Sequence, residues 1–187
     1  MSNRHPALAT REDTGLIIID VQDAFAPVID RFDEVVANCG LLAEGFGVMG
    51  RPVIVTEQYP KGLGHTVAAL AERLPDGTPV IEKTRFSACG VAAFEEAYDA
   101  PRCNTWVVCG VEAHVCVSQT VLDLRARGAA VHVAADAVSS RTPANRQAGL
   151  DKAAQAGAYI TSAEMVLFEM LEQAGGPEFK AISGMVK

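Results

Sequence analysis

The chain has 187 residues, of which 49% are apolar, 16 are Lys or Arg and 23 are Asp or Glu, leaving a formal net charge of −7. That length suits one α/β domain over residues 1–187 with a polar leader over 1–14, and the acidic balance without a basic stripe argues against nucleic acid or a membrane surface as a partner. Five cysteines, at 39, 89, 103, 109 and 116, form no CxxC pair, which argues against a disulfide framework or structural zinc and fits reduced thiols in a cytoplasmic protein.

The leader carries no apolar signal segment, and the longest aliphatic run, Leu16 to Ile19, is too short to span a bilayer. Gly15 to Ile19 reads as a strand buried on both faces of a parallel sheet, ending at Asp20. A loop over 21–27 follows, and Phe32 to Met49 reads as a helix rich in Ala, Val and Leu. The string GFGVMG at 45–50 spells GxGxxG but precedes a strand, the wrong order for a dinucleotide loop, so it is read as a helix C-terminus. Pro52 to Thr56 forms a second strand, leading into a turn-rich segment over 57–65 suited to wall a pocket. A weak helix spans Val67 to Leu74, and Pro79 to Glu82 is a short third strand that delivers Lys83 at its end. Another helix lies near Val91 to Tyr98.

Trp106-Val107-Val108-Cys109 is the fourth strand, stopped by Gly110. Val117, Val121 and Leu124 then recur at helical spacing with Gly128 behind them as a C-cap, so a helix starts near Ala113 or His114. Cys116 falls in its first turn, where unpaired backbone N–H groups and the helix dipole favour a thiolate and could hold an oxyanion. Ala130 to Ala135 is the fifth strand with Asp136 just beyond it, and the stretch from Ser139 to Pro143 opens a helix to about Ala156. Tyr159 to Thr161 is a sixth strand, and Ser162 N-caps a last helix.

This alternation predicts a three-layer Rossmann-like α/β fold, with a six-stranded, mostly parallel sheet and helices on both faces. Ligands of such sheets bind beyond the strands' carboxyl ends near the reversal of strand order, where Asp20, Lys83 and the Cys116 turn all fall. A cysteine hydrolase needs a thiolate, a base for its proton and fixed donors for an oxyanion. Asp20 suits the base, Lys83 suits a group that orients the carboxylate and stabilises the thiolate, and the backbone N–H groups of Glu112 and Cys116 suit the oxyanion donors. Each residue also has a plainer reading. Free cysteine often only fills a core, Asp20 could be an N-cap or turn residue, Lys83 could pair with Glu82 or Asp20 in a solvated rim, and His114 could lie on a helix surface. The chemical reading gains from three suitable residue types ending strands at one edge of one sheet.

The segments LIIIDVQDAF, VTEQYPKGLG, EKTRFSAC, CGVEAHVCVSQTVLDLRARG and AADAVSSR, with SAEMVLFEML and FKAIS behind them, resemble the isochorismatase-like cysteine hydrolases, in particular the isochorismatase domain-containing branch. The resemblance covers nearly the whole chain. It implies a triad of Asp20, Lys83 and Cys116, a cis peptide between Val111 and Glu112 that turns amides into the oxyanion hole, and a homo-oligomer. Nicotinamidases of that superfamily carry an Asp-x-His metal motif where Glu57-Gln58-Tyr59-Pro60 stands here, and vinyl-ether-cleaving isochorismatases lack the cysteine. Neither activity is expected. The four histidines, at 5, 65, 114 and 132, leave only His65 and His114 placed to reach a pocket, so neither metal nor cofactor is expected. The reading is a hydrolase of amide-type C–N bonds in a small molecule, with Phe25, Gln58, Tyr59, Phe86 and His114 as candidate pocket residues. Its competitors are a thiol-redox or sensor protein resolving Cys116 through Cys109 or Cys89, and a binding protein that keeps the fold without turnover.

Overall fold

Six strands, β1 (Thr14–Ile19), β2 (Val53–Gln58), β3 (Val80–Lys83), β4 (Thr105–Val111), β5 (Ala130–Ser139) and β6 (Tyr159–Thr161), form one sheet in the order β3-β2-β1-β4-β5-β6. Every neighbouring pair is parallel. The computed structural model describes residues 4–187, so the first three residues of the predicted leader lie outside it. Among the described residues, eight α-helices connect or flank the strands: α1 (Phe32–Val48), α2 (Pro60–Leu63), α3 (Ala68–Ala71), α4 (Ala92–Asp99), α5 (Ser118–Ala126), α6 (Pro143–Gln155), α7 (Ala163–Leu171) and α8 (Gly176–Met185). α1, α7 and α8 pack together in one layer, and α5 packs on α6 in the other. Among the described residues, no helix is long and apolar enough to cross a membrane.

The central strand follows from its composition. Leu16, Ile17, Ile18 and Ile19 are all fully buried, which only a strand covered on both faces achieves, and each contributes about 1.5–3 kcal/mol by leaving water. On α1, Phe32, Val35, Val36, Cys39, Leu42, Ala43 and Phe46 repeat at helical spacing and are buried. The glycines at 45 and 47 lie inside this helix and Gly50 follows it in the left-handed region, so GFGVMG is a helix terminus and no phosphate loop. α7 starts at the cap the sequence places there, the Ser162 hydroxyl accepting from the Met165 amide, and α6 starts within the expected stretch, with the Thr142 hydroxyl accepting from the Asn145 amide.

The differences from the sequence reading lie at element ends. β2 runs on through Glu57 and Gln58, which pair with Glu82 and Lys83 of β3. β4 and β5 run on beyond a register shift after Val108, where Gly110 and Val111 pair with Val138 and Ser139. Asp136 therefore lies within β5, and its carboxylate caps α7 by accepting from the Ala163 amide at 2.9 Å. The turn-rich segment over 57–65 contains the short helix α2, while the weak helix over Val67 to Leu74 shortens to α3. α8 is an element the sequence reading lacks, although Phe179, Ile182 and Met185 recur at i, i+3 and i+6 behind Pro177. The leader is tied down where described: Arg11 pairs with both carboxylate oxygens of Glu178 on α8, at 2.6 and 2.7 Å.

Candidate active site

Strand order reverses between β1 and β4, so the carboxyl ends of these two strands frame a crevice at the switch point. Asp20 leaves β1 in the left-handed region, with φ at 53°, a conformation Asp tolerates better than most residues. Its amide donates to the Thr56 carbonyl at 3.1 Å, which anchors it to β2. Its side chain is fully buried: Oδ1 accepts from the Thr56 hydroxyl at 2.6 Å and Oδ2 from Lys83 Nζ at 2.7 Å. Lys83, the last residue of β3, is equally buried, and also donates to Gln58 Oε1 at 2.7 Å and to the carbonyls of Arg85 and Phe86 at 3.2 Å each. A buried ion pair persists only when its remaining donors and acceptors are met like this. Lys83 does not pair with Glu82, which shares no face of β3 with it.

The second half of the site grows from Gly110. Its φ is 104°, and a Cβ there would fall 2.0 Å from the Ile19 carbonyl oxygen, so only glycine lets β4 lie this close to β1. The Val111–Glu112 peptide beyond it is cis. The helix start expected near Ala113 is a π-helical turn, Ala113–Val117, with α5 continuing from Ser118. Gly149 of α6 allows this turn its close seat, since a Cβ there would meet the Ala113 carbonyl oxygen at 2.4 Å. Glu112 is buried and its carboxylate takes the Arg141 amide at 3.1 Å and two guanidinium nitrogens at 3.0 Å. His114 Nδ1 lies 3.0 Å from the hydroxyl of the fully buried Ser140.

Cys116 is 6% exposed, and the charges of the Asp20 carboxylate and the Lys83 ammonium both act on its thiol. Here the expected pull toward thiolate gives way. Burial of the thiol is the largest influence, and the Asp20 charge adds to it while Lys83 opposes both, so the thiol is pushed up to about 12 from the usual 9.0. The group is a protonated thiol at rest beside a carboxylate, and its activation requires proton transfer.

Of the candidate pocket residues, Tyr59 and Phe86 are each 54% exposed, Phe25 packs partly against the core, His114 sits on the π-helical turn, and Gln58 turns its amide onto Lys83. A cleft of about 480 Å³ opens beside them, lined by Tyr59, Lys83, Arg85, Gly90 and Val91 among others; Cys116, Phe25, Gln58, Phe86 and His114 do not line it. His65 does not turn to a pocket. Its Nδ1 meets Glu57 Oε2 at 2.9 Å, and Glu57 also takes the Thr66 amide and hydroxyl. Sequence reasoning missed Thr56, Gln22, Ser140, Arg141 and Gly149. Gln22, Thr56, Ser140 and Arg141 stand inside the segments quoted above, but their hydrogen bonds join residues far apart in the chain and leave no local pattern.

A parallel sheet in the order 3-2-1-4-5-6 with a buried polar centre at its switch point defines a Rossmann-like α/β protein, a class whose ligands bind at the carboxyl edge. The chain belongs to the isochorismatase family, whose Isochorismatase domain model matches residues 14–165. It is 39% identical over 168 residues to "Isochorismatase domain-containing protein 1" of Salmo salar, a match that covers 90% of this chain and 59% of that protein. The chain thus spans less than two thirds of that relative's length. It is 39% identical over 176 residues to "Secreted isochorismatase effector Isc1" of Phytophthora sojae, covering 92% of this chain and 83% of the other. Among solved structures, one titled as the MAR1 ribonuclease of Caenorhabditis elegans superposes with a TM-score of 0.90 at 37% identity, covering 96% of this chain and 92% of that one.

Proposed function

We propose that the chain is a cysteine-dependent hydrolase of amide-type C–N bonds in a small molecule, working through a thioester on Cys116. The carrying observation is the enclosure of one thiol, one carboxylate and one ammonium at the switch point, with Asp20 and Lys83 2.7 Å apart and fully buried. Asp20 accepts the Cys116 proton as Sγ attacks the carbonyl carbon, and the displaced electron pair goes to the oxygen, which the backbone N–H groups of Glu112 and Cys116 receive. Collapse breaks the C–N bond, and the leaving nitrogen takes the proton from Asp20. Water then gives a proton to Asp20 and attacks the thioester, and the expelled thiolate recovers that proton as the carboxylic acid leaves. Lys83 holds the Asp20 carboxylate toward the sulfur throughout. No step calls for a cofactor.

The net charge of −7 favours a small-molecule substrate over RNA, although the Caenorhabditis elegans structure is titled a ribonuclease. Self-association is part of the proposal: Tyr159 and Ile160 on the edge strand β6 and Met165 and Phe168 on α7 expose apolar surface. Free thiols at all five cysteines support residence in a reducing compartment such as the cytoplasm. The test is ammonia or amine release from a panel of small amides, with RNA as a parallel substrate. Release abolished in Cys116→Ala supports the reading. RNA cleavage that survives Cys116→Ala, or a peroxide-dependent disulfide at Cys116 without any hydrolysis, overturns it.

A further inference from the structure

An ammonium has three protons, and when it is fully buried each needs an oxygen. Lys83 Nζ meets Asp20 Oδ2 at 2.7 Å and Gln58 Oε1 at 2.7 Å, and the carbonyls of Arg85 and Phe86, both at 3.2 Å, take the third. Gln58 is itself fixed from two sides. Its Nε2 donates to the Thr84 carbonyl at 2.9 Å, which decides that its oxygen faces the lysine. Its backbone is clamped by Gln22, whose Oε1 accepts from the Gln58 amide at 2.7 Å and whose Nε2 donates to the carbonyls of Gln58 at 3.0 Å and Gly64 at 2.6 Å. Gln22 is fully buried and lies two residues beyond Asp20. One chain of amide hydrogen bonds thus joins the segments that follow β1, β2 and β3, and it ends on the lysine.

We propose that Gln58, clamped by Gln22, is a positioning residue for Lys83: it holds the ammonium where it can act on both the Asp20 carboxylate and the Cys116 thiol. The proposal rests on the reading of Asp20, Lys83 and Cys116 as the reacting centre. Position 58 calls for a neutral acceptor. A carboxylate there would compete with Asp20 for the same ammonium and add a second negative charge near the thiol, whereas an apolar side chain would leave the ammonium drawn toward Asp20 alone. The charged groups that act on the thiol in the wild type are Asp20 and Lys83. Glu57, the neighbour of Gln58 in β2, turns its carboxylate to the other face of the strand, onto His65 and Thr66.

The test needs no substrate. The whole protein and its Gln58→Glu, Gln58→Leu and Lys83→Met variants are alkylated with iodoacetamide over about pH 6 to 10, Cys116 occupancy is followed by peptide mapping, and thermal unfolding is recorded in parallel. Gln58→Glu, nearly isosteric, is expected to fold and to move the Cys116 profile about one unit alkaline, which is about tenfold slower labelling at a fixed pH. Gln58→Leu is expected to slow labelling by about the same factor as Lys83→Met. If Gln58→Glu, and Gln58→Leu where it folds, lower thermal stability but leave the profile in place while Lys83→Met moves it, the proposal falls and Gln58 is a structural residue. If Lys83→Met also leaves the profile in place, the proposal falls together with the triad on which it rests.

Discussion

Two buried carboxylates stand near the carboxyl ends of neighbouring strands, and the molecule holds them in opposite ways. Glu57 Oε1 accepts from the Thr66 amide at 2.6 Å and hydroxyl at 2.8 Å, while Oε2 meets the exposed His65 ring at 2.9 Å. Burial pushes Glu57 up, but the Thr66 amide, His65 and the Thr66 hydroxyl together outweigh it and leave the group below its usual range. Its oxygens are all committed to one loop, which makes it a latch. Asp20 instead meets a hydroxyl on one oxygen and an ammonium on the other, and both charges act on the Cys116 thiol. Burial alone therefore does not mark a carboxylate as reactive; the chemistry of the groups that share its burial does.

Replacing one member of each pair separates latch from base. Asp20→Asn is expected to lower amide hydrolysis by about 10²–10⁴-fold, because the proton acceptor is gone. It also leaves Lys83 charged, buried and without its counter-ion, a cost of about 3–5 kcal/mol that a melting curve would register. Adding Lys83→Met should return most of the stability and none of the activity. Turnover within about threefold of wild type in Asp20→Asn would make Asp20 a second latch and erase the contrast.

The protonated resting thiol sharpens the comparison through pH. With Cys116 pushed up to about 12, its thiolate is a minor fraction at neutral pH, and that fraction grows as pH rises. Iodoacetamide labelling of Cys116 should then climb by about tenfold per pH unit from pH 7 upward with no plateau near neutrality. A plateau at about pH 8 or below would show that Lys83 and the turn overcome burial and Asp20.

Most of the frame was legible in the sequence because it rests on local pattern. Leu16 to Ile19 are apolar without interruption, the GFGVMG string precedes a strand, and Ser162 stands one residue ahead of its helix. The positions of Asp20, Lys83 and Cys116 were legible for the same reason, as each ends or follows a strand at one edge. What escaped depends on contacts across the chain. Gln22 reads as an ordinary loop residue until its amide is seen to clamp Gln58, 36 positions away, and Gly149 reads as a helix-weakening glycine until the Ala113 carbonyl is found against it. The thiol's protonation escaped too, because a helix start is visible in sequence while the depth of burial at Cys116 is not.

Glu57→Gln is the counterpart of the Asp20 change, with a smaller effect of another kind. Losing charged hydrogen bonds to the Thr66 amide and hydroxyl should cost about 1.5–3 kcal/mol of stability and leave amide hydrolysis within about threefold. The sign with pH is fixed by the lowered group: the latch contributes fully above the ordinary carboxylate value of 4.5 and is lost as pH falls through the lower folded value. A stability difference between wild type and Glu57→Gln that persists unchanged well below that range would mean the carboxylate charge is not what holds the loop.

The smallest expected effect is that of chelation. A catalytic metal usually takes three protein ligands and keeps a position open for water or substrate. At this site the donors are already committed: His65 to Glu57, His114 to the Ser140 hydroxyl, and both Asp20 oxygens to Thr56 and Lys83. His132 lies on β5, buried against the Tyr159 ring at 5.0 Å. Among the described residues no three His, Cys, Asp or Glu side chains converge as a ligand set. Lys83 also stands where a cation beside Asp20 would have to stand, so a metal would need to displace a fully buried ammonium with four oxygen contacts. Hydrolysis should therefore stay within about twofold of its starting rate after exhaustive dialysis against EDTA or phenanthroline. Loss on chelation that added zinc or iron restores would mean that Glu57 and His65 release their loop to bind a metal, and the latch would itself belong to the reacting site.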